Sequence, residues 1–282
     1  MNSQSTPPLV WVIIVNWNGR EVTLDCLDSL HHATYRNRHV LVVDNASTDG
    51  SVEGIRKLHP DVEVLALPEN RRFAGGNNAG IRHALKGGAE FLLLLNNDTT
   101  VDPGYLEPLV ERLSSDPSTG IVAPKIYYHS QPDRLWYAGG SISFWSGSMK
   151  HVGIREYDHG QHDTPGETDY ATGCCFLTRG ELVAKIGLLD ESYYMYTEDA
   201  DWCMRARRAG YRVMYEPQAR VWHRLSVSAG GHLSWYKLKN KACSNFRFFR
   251  RYARWYQWFT LPWLAILSNG TAAIRYLLRR RG

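Results

Sequence analysis

Two amides and a carboxylate, Asn96, Asn97 and Asp98, stand directly after the unbroken apolar run 91–95. An apolar run of this length is typical of a strand that is buried on both faces. Carboxylate oxygens are the ligands that a hard divalent cation prefers, and such a cation often bridges phosphates. The strand end is therefore a candidate site for a divalent metal and a phosphorylated ligand, with Asp98 as the metal ligand. The alternative is a polar turn that precedes Pro103.

Polar side chains follow three further predicted strands in the same way. Asn, Asp and Ser side chains also stabilise turns by hydrogen-bonding their own backbone, so each cluster alone has a structural explanation. In an open parallel sheet, however, ligands bind outside the carboxyl ends of the strands. Four polar strand ends at one edge of a sheet therefore favour a ligand site. The three further clusters are Asn16 with Asn18, Asp44 with Asn45 and Ser47, and Glu69 with Asn70.

The elements that must position these residues alternate between strand and helix. Runs of β-branched and aromatic residues predict strands, and apolar residues at a helical spacing predict helices between them. This order predicts an α/β fold with a mostly parallel central sheet flanked by helices. Strands are expected at 9–15, 39–47, 62–67, 91–95, 120–128, 211–217 and 219–223, helices at 20–31, 50–58, 76–86 and 197–210, a β-rich excursion at 134–154, and a strand that turns into a helix at 169–187.

Two common nucleotide-binding motifs are absent. The loop after the first predicted strand reads NWNG and holds no G-x-G-x-x-G, and the chain has no G-x-x-x-x-G-K-[ST]. Dinucleotide-dependent dehydrogenases and P-loop ATPases are therefore disfavoured. Asp44 can instead accept a hydrogen bond from a base N–H, and Gly75, Gly76 and Gly80 permit close backbone approach at a predicted helix start. These residues suit a nucleoside diphosphate that binds together with a metal ion.

Five motifs, in chain order over residues 9–225, resemble the family 2 inverting glycosyltransferases of the GT-A fold. The likeness is greatest to the rhamnosyltransferase branch, with one departure at Arg72, where that branch usually has glycine. In the family a D-x-D motif ends the fourth strand, and here Asn96 replaces its first aspartate. This change leaves fewer anionic ligands for a metal. The matching motifs are VIIVNWNG, VLVVDNASTDGS, NRRFAGGNNAG, FLLLLNNDTTVDPG and YMYTEDADWCMRARRAGY.

The resemblance implies roles for individual residues. It implies that Asp98 ligates Mg²⁺ or Mn²⁺, and that Asp44 recognises the base of a nucleotide-sugar donor. His223 stands where relatives have a histidine that ligates the metal or contacts the diphosphate, although a purely structural histidine is an equal alternative. Arg224 is a second candidate for diphosphate contact, and Gly173 is expected near the acceptor. The predicted donor-binding set is Val15, Asn16, Asn18, Asp44, Asn45, Ser47, Asn70, Gly75, Gly76, Asn77, Asn96 and Asn97.

Inverting sugar transfer requires a base for the acceptor hydroxyl and stabilisation of the leaving diphosphate, which a metal can supply. The resemblance implies that Asp199 is the general base and that Glu198 orients the acceptor or a neighbouring group. The structural alternative is that acidic residues in a first helical turn interact with the helix dipole. Asp201 is expected to be solvated or salt-bridged, and Cys174 and Cys175 are expected to lie in the core.

The last part of the chain differs in charge from the rest. Residues 232–282 hold 11 basic, 12 aromatic and no acidic residues, whereas residues 1–231 hold 22 basic and 28 acidic ones. Aromatic rings with arginines at headgroup depth are typical of an interfacial helix. A solvated basic helix pair and single-stranded nucleic-acid binding are the alternatives, and a nucleotide-sugar site argues against the second. We expect a glycosyltransferase domain at 1–230 and a helical membrane-surface region at 231–282.

The expected function is transfer of rhamnose from dTDP-rhamnose to a lipid-linked saccharide in the synthesis of cell-surface polysaccharide. The alternatives are a UDP-hexose or UDP-N-acetylhexosamine donor, and a non-catalytic nucleotide-sugar-binding protein at the membrane surface. The N-terminus lacks a signal-peptide pattern, and the five cysteines lack the C-x-x-C spacing of a zinc site. The expected location is cytoplasmic, peripheral on the inner face of the cell membrane. Nucleic acid is not an expected partner, and a homodimer is left open.

Overall fold

The first four strands and the helices between them follow the alternation that the sequence predicts. The protein is described by a computed structural model that covers residues 7–224 and 235–260. Its elements are β1 (Val10–Asn16), α1 (Arg20–His31), β2 (Arg38–Asp44), α2 (Ser51–Leu58), β3 (Glu63–Ala66), α3 (Arg72–Lys86), β4 (Phe91–Asn96), β5 (Thr99–Val101), α4 (Leu106–Ser115), β6 (Thr119–Tyr128), β7 (Gln131–Tyr137), β8 (Gly140–Ser143), β9 (Ser148–His151), β10 (Gly166–Glu167), β11 (Cys175–Arg179), α5 (Gly180–Ile186), α6 (Glu198–Arg208), β12 (Arg212–His223), α7 (Trp235–Tyr252) and a 3₁₀-helix (Trp255–Phe259).

One large sheet runs through the described residues. Its order is β10-β12-β6-β11-β4-β1-β2-β3, with β5 paired to β12 and β7 paired to β6. Strands β1 to β4 are parallel to one another, whereas β11 runs antiparallel between β4 and β6. The predicted α/β fold with a mostly parallel central sheet is confirmed. The β-rich excursion is present as β7 and the β8–β9 hairpin.

The register of β1 brings the polar strand ends to one edge. Asn16 is paired with Asp44 of β2, and Val15 is paired with Asn96 of β4. The apolar run 91–95 is at most 6% exposed, so a slip of one residue would turn these side chains away from their packing partners. Burying each leucine contributes about 1.5–3 kcal/mol, which fixes the register strongly.

Helix α3 begins at Arg72 and not at the predicted position 76. Gly76 and Gly80 therefore lie inside the helix and face the sheet. A Cβ at Gly76 would lie 2.8 Å from Val15 Cγ1, and a Cβ at Gly80 would lie 2.5 Å from Ile13 Cγ2. These two glycines therefore allow close packing of α3 on β1, and the approach of a diphosphate to Gly75, Gly76 and Gly80 stays a prediction.

A single strand, β12, replaces the two strands predicted at 211–217 and 219–223. Its parallel pairing with β6 shifts register between Glu216 and Arg220. Pro217 lies in this interval and has no backbone N–H to donate to a ladder. The sequence therefore shows an interruption, but the chain continues along the same neighbour on both sides of it.

The C-terminal region is described only in part. Helix α7 packs through the buried Phe248 and Phe249 against Phe144, which follows β8. Of the predicted region 231–282, residues 231–234 and 261–282 lie outside the described residues. Among the helices that are described, none combines the length and apolar character needed to cross a membrane.

Candidate active site

A buried network of polar side chains joins the carboxyl ends of β1, β2 and β4. Asn16 Nδ2 donates to Asp44 Oδ1 at 2.9 Å and to Ser47 Oγ at 3.1 Å. Asn16 Oδ1 accepts from Thr23 Oγ1 at 2.9 Å and from Asn97 Nδ2 at 3.1 Å. The structure thus brings four predicted donor residues together. Thr23 was not predicted, because an isolated threonine inside a helix carries no sequence signal.

The Asp44 carboxylate already accepts hydrogen bonds from within the protein. Its side chain is 2% exposed, and its Oδ2 accepts from the Ser47 N–H at 2.9 Å. Both carboxylate oxygens therefore already accept hydrogen bonds within the protein. Each oxygen has a second lone pair, so contact with a base stays a prediction that uses this remaining capacity.

Two of the predicted asparagines shape the turn before α3. Asn45 Nδ2 donates to the Arg72 carbonyl at 3.0 Å, and Asn45 Oδ1 accepts from the Arg71 N–H at 2.9 Å. Asn70 Oδ1 accepts from the Arg72 N–H at 2.7 Å. Arg72 has φ of 60°, a conformation that glycine adopts without strain. This conformation suits the glycine that the resemblance leads one to expect at this position. The Arg72 guanidinium lies 3.8 Å from the centre of the Tyr194 ring.

The other predicted donor residues lie at the same edge with different surroundings. Asn18 Oδ1 accepts from the Thr48 N–H at 2.7 Å and closes the loop after β1. Asn77 Nδ2 donates to the Phe73 carbonyl at 2.9 Å inside its own helix. A Cβ at Gly75 would lie 2.6 Å from Arg71 Cβ. Contact of these residues with a donor stays a prediction.

Asp98 and His223 form the candidate metal site. Asp98 Oδ1 and His223 Nε2 lie 3.1 Å apart, and both side chains are mostly buried, at 12% and 8% exposure. This contact does not have hydrogen-bond geometry, and Asp98 Oδ1 accepts no hydrogen bond from another group. Pairing of β12 with β5 places His223 beside Thr99, the residue after Asp98. Two ligands on adjacent corners of an octahedron with bonds of about 2.1 Å are about 3.0 Å apart, so the pair fits one cation.

The remaining ligands of such a cation must come from elsewhere. The described residues hold no group of three or more His, Cys, Asp or Glu side chains that could bind a metal. Mg²⁺ in particular is often held by one or two protein groups together with substrate phosphates and water. Arg224, the second candidate for diphosphate contact, instead forms an ion pair with Asp25 at 2.6 Å.

The acidic pair opens α6 after a strained turn. Tyr196 and Thr197 have φ of 70° and 77°, which side-chain-bearing residues rarely adopt. Each such residue costs about 1–3 kcal/mol and is retained only when the surroundings hold it. Asp199 Oδ2 accepts from the Gly173 N–H at 2.7 Å, and its Oδ1 accepts from the Ala200 N–H at 2.8 Å.

Burial separates the two carboxyl groups chemically. Burial and the neighbouring Asp199 charge raise the pKa of Glu198 to about 8, and Glu198 Oε2 accepts no hydrogen bond. Burial also raises the pKa of Asp199, but the N–H groups of Gly173 and Ala200 oppose this rise. Near neutral pH Glu198 is therefore protonated, and of the two groups Asp199 is the one whose charged form is stabilised by two hydrogen bonds.

The raised pKa of Glu198 makes stability depend on pH. The ordinary value is 4.5 and the value in the fold is about 8. The folded protein binds the extra proton in this window, so its free energy of unfolding falls as pH rises from 4.5 towards 8. Glu198→Gln stays neutral and should flatten this dependence, which urea unfolding at several pH values measures. The exposed Glu53→Gln is the control, and parallel curves for wild type and Glu198→Gln would contradict the prediction.

One short segment connects the two halves of the site. The Cys174 carbonyl accepts from the Asn96 N–H at 2.8 Å, at the end of β4. The adjacent Gly173 donates to Asp199. A Cβ at Gly173 would lie 2.8 Å from Phe73 Cζ, so a larger residue would force the Phe73 ring to shift. Gly173 thus lies directly against the predicted base, and its contact with an acceptor stays a prediction.

Several residues outside the site have structural roles that were predicted. Asp201 is fully buried and forms ion pairs with Arg205 at 2.8 Å and Arg251 at 3.0 Å. Its predicted salt bridging is confirmed, and the solvated alternative is wrong. Cys174 and Cys175 are buried core residues as predicted, and all five cysteines are free.

Several curated proteins are similar to this chain in sequence. Curated relatives include the N-acetylglucosaminyl-diphospho-decaprenol L-rhamnosyltransferase of Mycobacterium tuberculosis, 28% identical over 226 residues that cover 72% of each chain. They also include a low-salt glycan biosynthesis hexosyltransferase of Haloferax volcanii, 26% identical over 72% of this chain and 62% of that protein. A poly-beta-1,6-N-acetyl-D-glucosamine synthase of Staphylococcus aureus is 24% identical over 78% of this chain and 50% of that protein.

Solved structures share the fold. A mannosyltransferase of Pyrobaculum calidifontis in complex with GDP-Man and Mn²⁺ superposes with a TM-score of 0.65 at 20% identity, over 95% of this chain and 76% of that one. GalNAc-T7 with UDP, GalNAc and Mn²⁺ gives a TM-score of 0.64 at 19% identity, over 80% of this chain and 45% of that one. The sequence model of the family described as Glycosyl transferase family 2 matches residues 11–187. Since this match covers more than half of the chain, the protein belongs to glycosyl transferase family 2 and has the GT-A fold.

Proposed function

We propose that this glycosyltransferase is an inverting, metal-dependent enzyme that moves a sugar from a nucleoside diphosphate donor to a lipid-linked saccharide. The observation that carries the proposal is that the Gly173–Cys174 segment hydrogen-bonds both to Asp199 and to Asn96, two residues before Asp98. A partly exposed carboxylate held by two N–H groups suits a base. A buried carboxylate oxygen without a hydrogen bond suits a cation.

Each residue has a separate task in this mechanism. The donor would lie at the carboxyl ends of β1, β2 and β4, where Asp98 and His223 would hold Mg²⁺ or Mn²⁺. When bound, the cation neutralises charge that develops on the leaving diphosphate. Asp199 takes the proton of the acceptor hydroxyl as its oxygen bonds to the anomeric carbon. The bond from that carbon to the diphosphate breaks on the opposite face, which inverts the configuration.

The choice of substrate rests on the relatives. The Mycobacterium tuberculosis relative is named as a rhamnosyltransferase with a decaprenol-linked acceptor, which favours dTDP-rhamnose and a lipid-linked saccharide here. The relatives named as a hexosyltransferase and a poly-N-acetylglucosamine synthase favour a UDP-hexose or UDP-N-acetylhexosamine as the second candidate donor. A non-catalytic nucleotide-sugar-binding protein is the remaining alternative, and it gives no reason for a carboxylate held by the Gly173 and Ala200 N–H groups at this place.

Donor binding tests the proposal. We would titrate the purified protein with dTDP-rhamnose, UDP-glucose, UDP-galactose, UDP-N-acetylglucosamine and GDP-mannose, each with Mg²⁺, Mn²⁺ or EDTA. We expect one donor to bind only when the divalent cation is present, followed by release of its nucleoside diphosphate when acceptor is added. Absence of binding by every donor with either cation would remove the proposal. Binding without any turnover would favour the non-catalytic alternative.

A membrane-surface location on the inner face is part of the same proposal, with the division into 1–230 and 231–282. Trp145, Trp255 and Phe259 are 55%, 76% and 71% exposed, and Thr260 Oγ1 donates to the Trp145 carbonyl at 2.8 Å. Exposed aromatic rings beside basic residues suit anionic headgroups. We expect co-flotation with vesicles that contain anionic lipid, and loss of flotation when Trp255 and Phe259 are both replaced by Ser. Equal flotation with neutral vesicles would contradict the expected attraction between the basic residues and anionic headgroups.

A further inference from the structure

Helix α7 contacts the chain on the N-terminal side of the acidic pair. Ser244 Oγ donates to the Met195 carbonyl at 2.8 Å. Thr197 Oγ1 donates to Asn245 Oδ1 at 3.2 Å. Ser244 and Thr197 are 4% and 6% exposed, so water competes little with either hydrogen bond. Two adjacent residues of α7 therefore hold the residues that lead into Glu198.

The same helix contacts α6 on the other side of the pair. Tyr252 Oη donates to Asp201 Oδ1 at 2.7 Å, and Arg251 pairs with the same oxygen at 3.0 Å. Asp201 is fully buried in the first turn of α6. Along the chain, Glu198 and Asp199 thus lie between two sets of contacts with α7. One set is to Met195 and Thr197, and the other is to Asp201.

The turn that α7 holds, at Tyr196 and Thr197, has a strained backbone. Tyr196 and Thr197 both adopt left-handed backbone conformations, and relaxation of either would rotate the start of α6. Within the described residues, Asp199 receives side-chain hydrogen bonds only from the backbone of Gly173 and Ala200. Its direction therefore depends on where the turn places the first residues of the helix. An error of about 1 Å in a reacting group can lower a rate by about 10²-fold.

We propose that Ser244 and Asn245 are positioning residues that hold the Tyr196–Thr197 turn so that Asp199 faces the acceptor hydroxyl. This inference rests on the proposed function and adds a part of the chain that lies outside the family match at 11–187. In this proposal α7 completes the active site, in addition to packing on the domain. A helix that only packs would need the Asp201 and Phe144 contacts but not the two bonds to the turn.

Kinetic comparison of matched variants tests the proposal in the full-length chain. Ser244→Ala removes the donor to Met195, and Asn245→Leu removes the acceptor for Thr197 with little change in size. Ser244→Thr keeps the hydroxyl and should restore activity.

Phe249→Leu loosens the packing of α7 on Phe144 without touching the turn, and serves as the stability-matched control. The exposed Cys243→Ser on the same helix is the neutral control.

We expect Ser244→Ala and Asn245→Leu each to lower kcat by about tenfold or more, with KM for the donor within about twofold of wild type. We also expect the acid limb of their pH–rate profiles to shift. Phe249→Leu, compared with variants of the same melting temperature, should keep the acid limb of the wild-type profile. If both variants lose stability like Phe249→Leu but keep kcat and the profile, the positioning role is wrong. If the wild type itself binds a donor but never transfers its sugar to saccharide or water, the proposed function fails, and the inference falls with it.

Discussion

Replacing Asp199 with Asn should lower kcat by about 10²- to 10⁴-fold while leaving donor affinity nearly unchanged. The amide has the shape of the carboxylate, and its oxygen can still accept the Gly173 N–H, but its NH2 group cannot accept the Ala200 N–H. It cannot take the proton of the acceptor hydroxyl at neutral pH. Single-turnover transfer from a radiolabelled donor, with donor affinity measured separately, checks the prediction.

The neighbouring carboxyl group provides the matched control. Glu198 is already protonated near neutral pH because its pKa is about 8, so Glu198→Gln should keep most of the activity there. In the wild type, kcat/KM should rise with pH as Asp199 loses its proton, with a midpoint above the ordinary value of 3.8 because burial raises its pKa. If Glu198→Gln abolishes turnover and Asp199→Asn does not, the two roles must be exchanged.

Replacing Asp98 with Ala should remove the dependence of donor binding on Mg²⁺ or Mn²⁺ and lower kcat/KM by about 10²-fold or more. The loss is expected because Asp98 supplies the carboxylate oxygen of the candidate metal pair, and without it only the His223 imidazole would remain as a ligand. Isothermal titration of the donor, with and without the cation, measures the first effect directly.

The control for Asp98 lies four residues further along the chain. Asp102→Asn keeps the oxygen that accepts from the Gly104 N–H at 3.0 Å, and should bind donor like the wild type. If EDTA leaves donor binding to the wild-type protein unchanged, Asp98 has a structural role and the metal assignment is wrong.

The sequence predicted those features that depend on local patterns. The strand with the apolar run 91–95 and the polar residues after it were predicted, because burial on both faces and strand-end polarity are visible in residue order. The start of α3 at Arg72 was missed because Gly75 and Gly76 are typical of loops. Gly76 is glycine because it contacts Val15 of β1, which is distant in sequence.

Contacts between distant segments could not be predicted from one sequence. The aromatic and basic content of 232–282 predicted a surface helix, but the hydrogen bonds from Ser244 and Asn245 to the turn before α6 depend on how α7 docks. The pairing of His223 with Asp98 depends similarly on the β5–β12 register. His223 was predicted as a metal ligand from the resemblance to a known family, because residue spacing alone does not indicate it.

The candidate metal site has one carboxylate and one imidazole, and this composition links two binding equilibria. Without a diphosphate, a divalent cation would find a single negative charge and few ligands, so each partner should bind weakly alone. By thermodynamic reciprocity, the factor by which the cation tightens the donor must equal the factor by which the donor tightens the cation. Such a protein would respond to the concentration of the cation–nucleotide complex, and the cellular supply of that complex would set its occupancy.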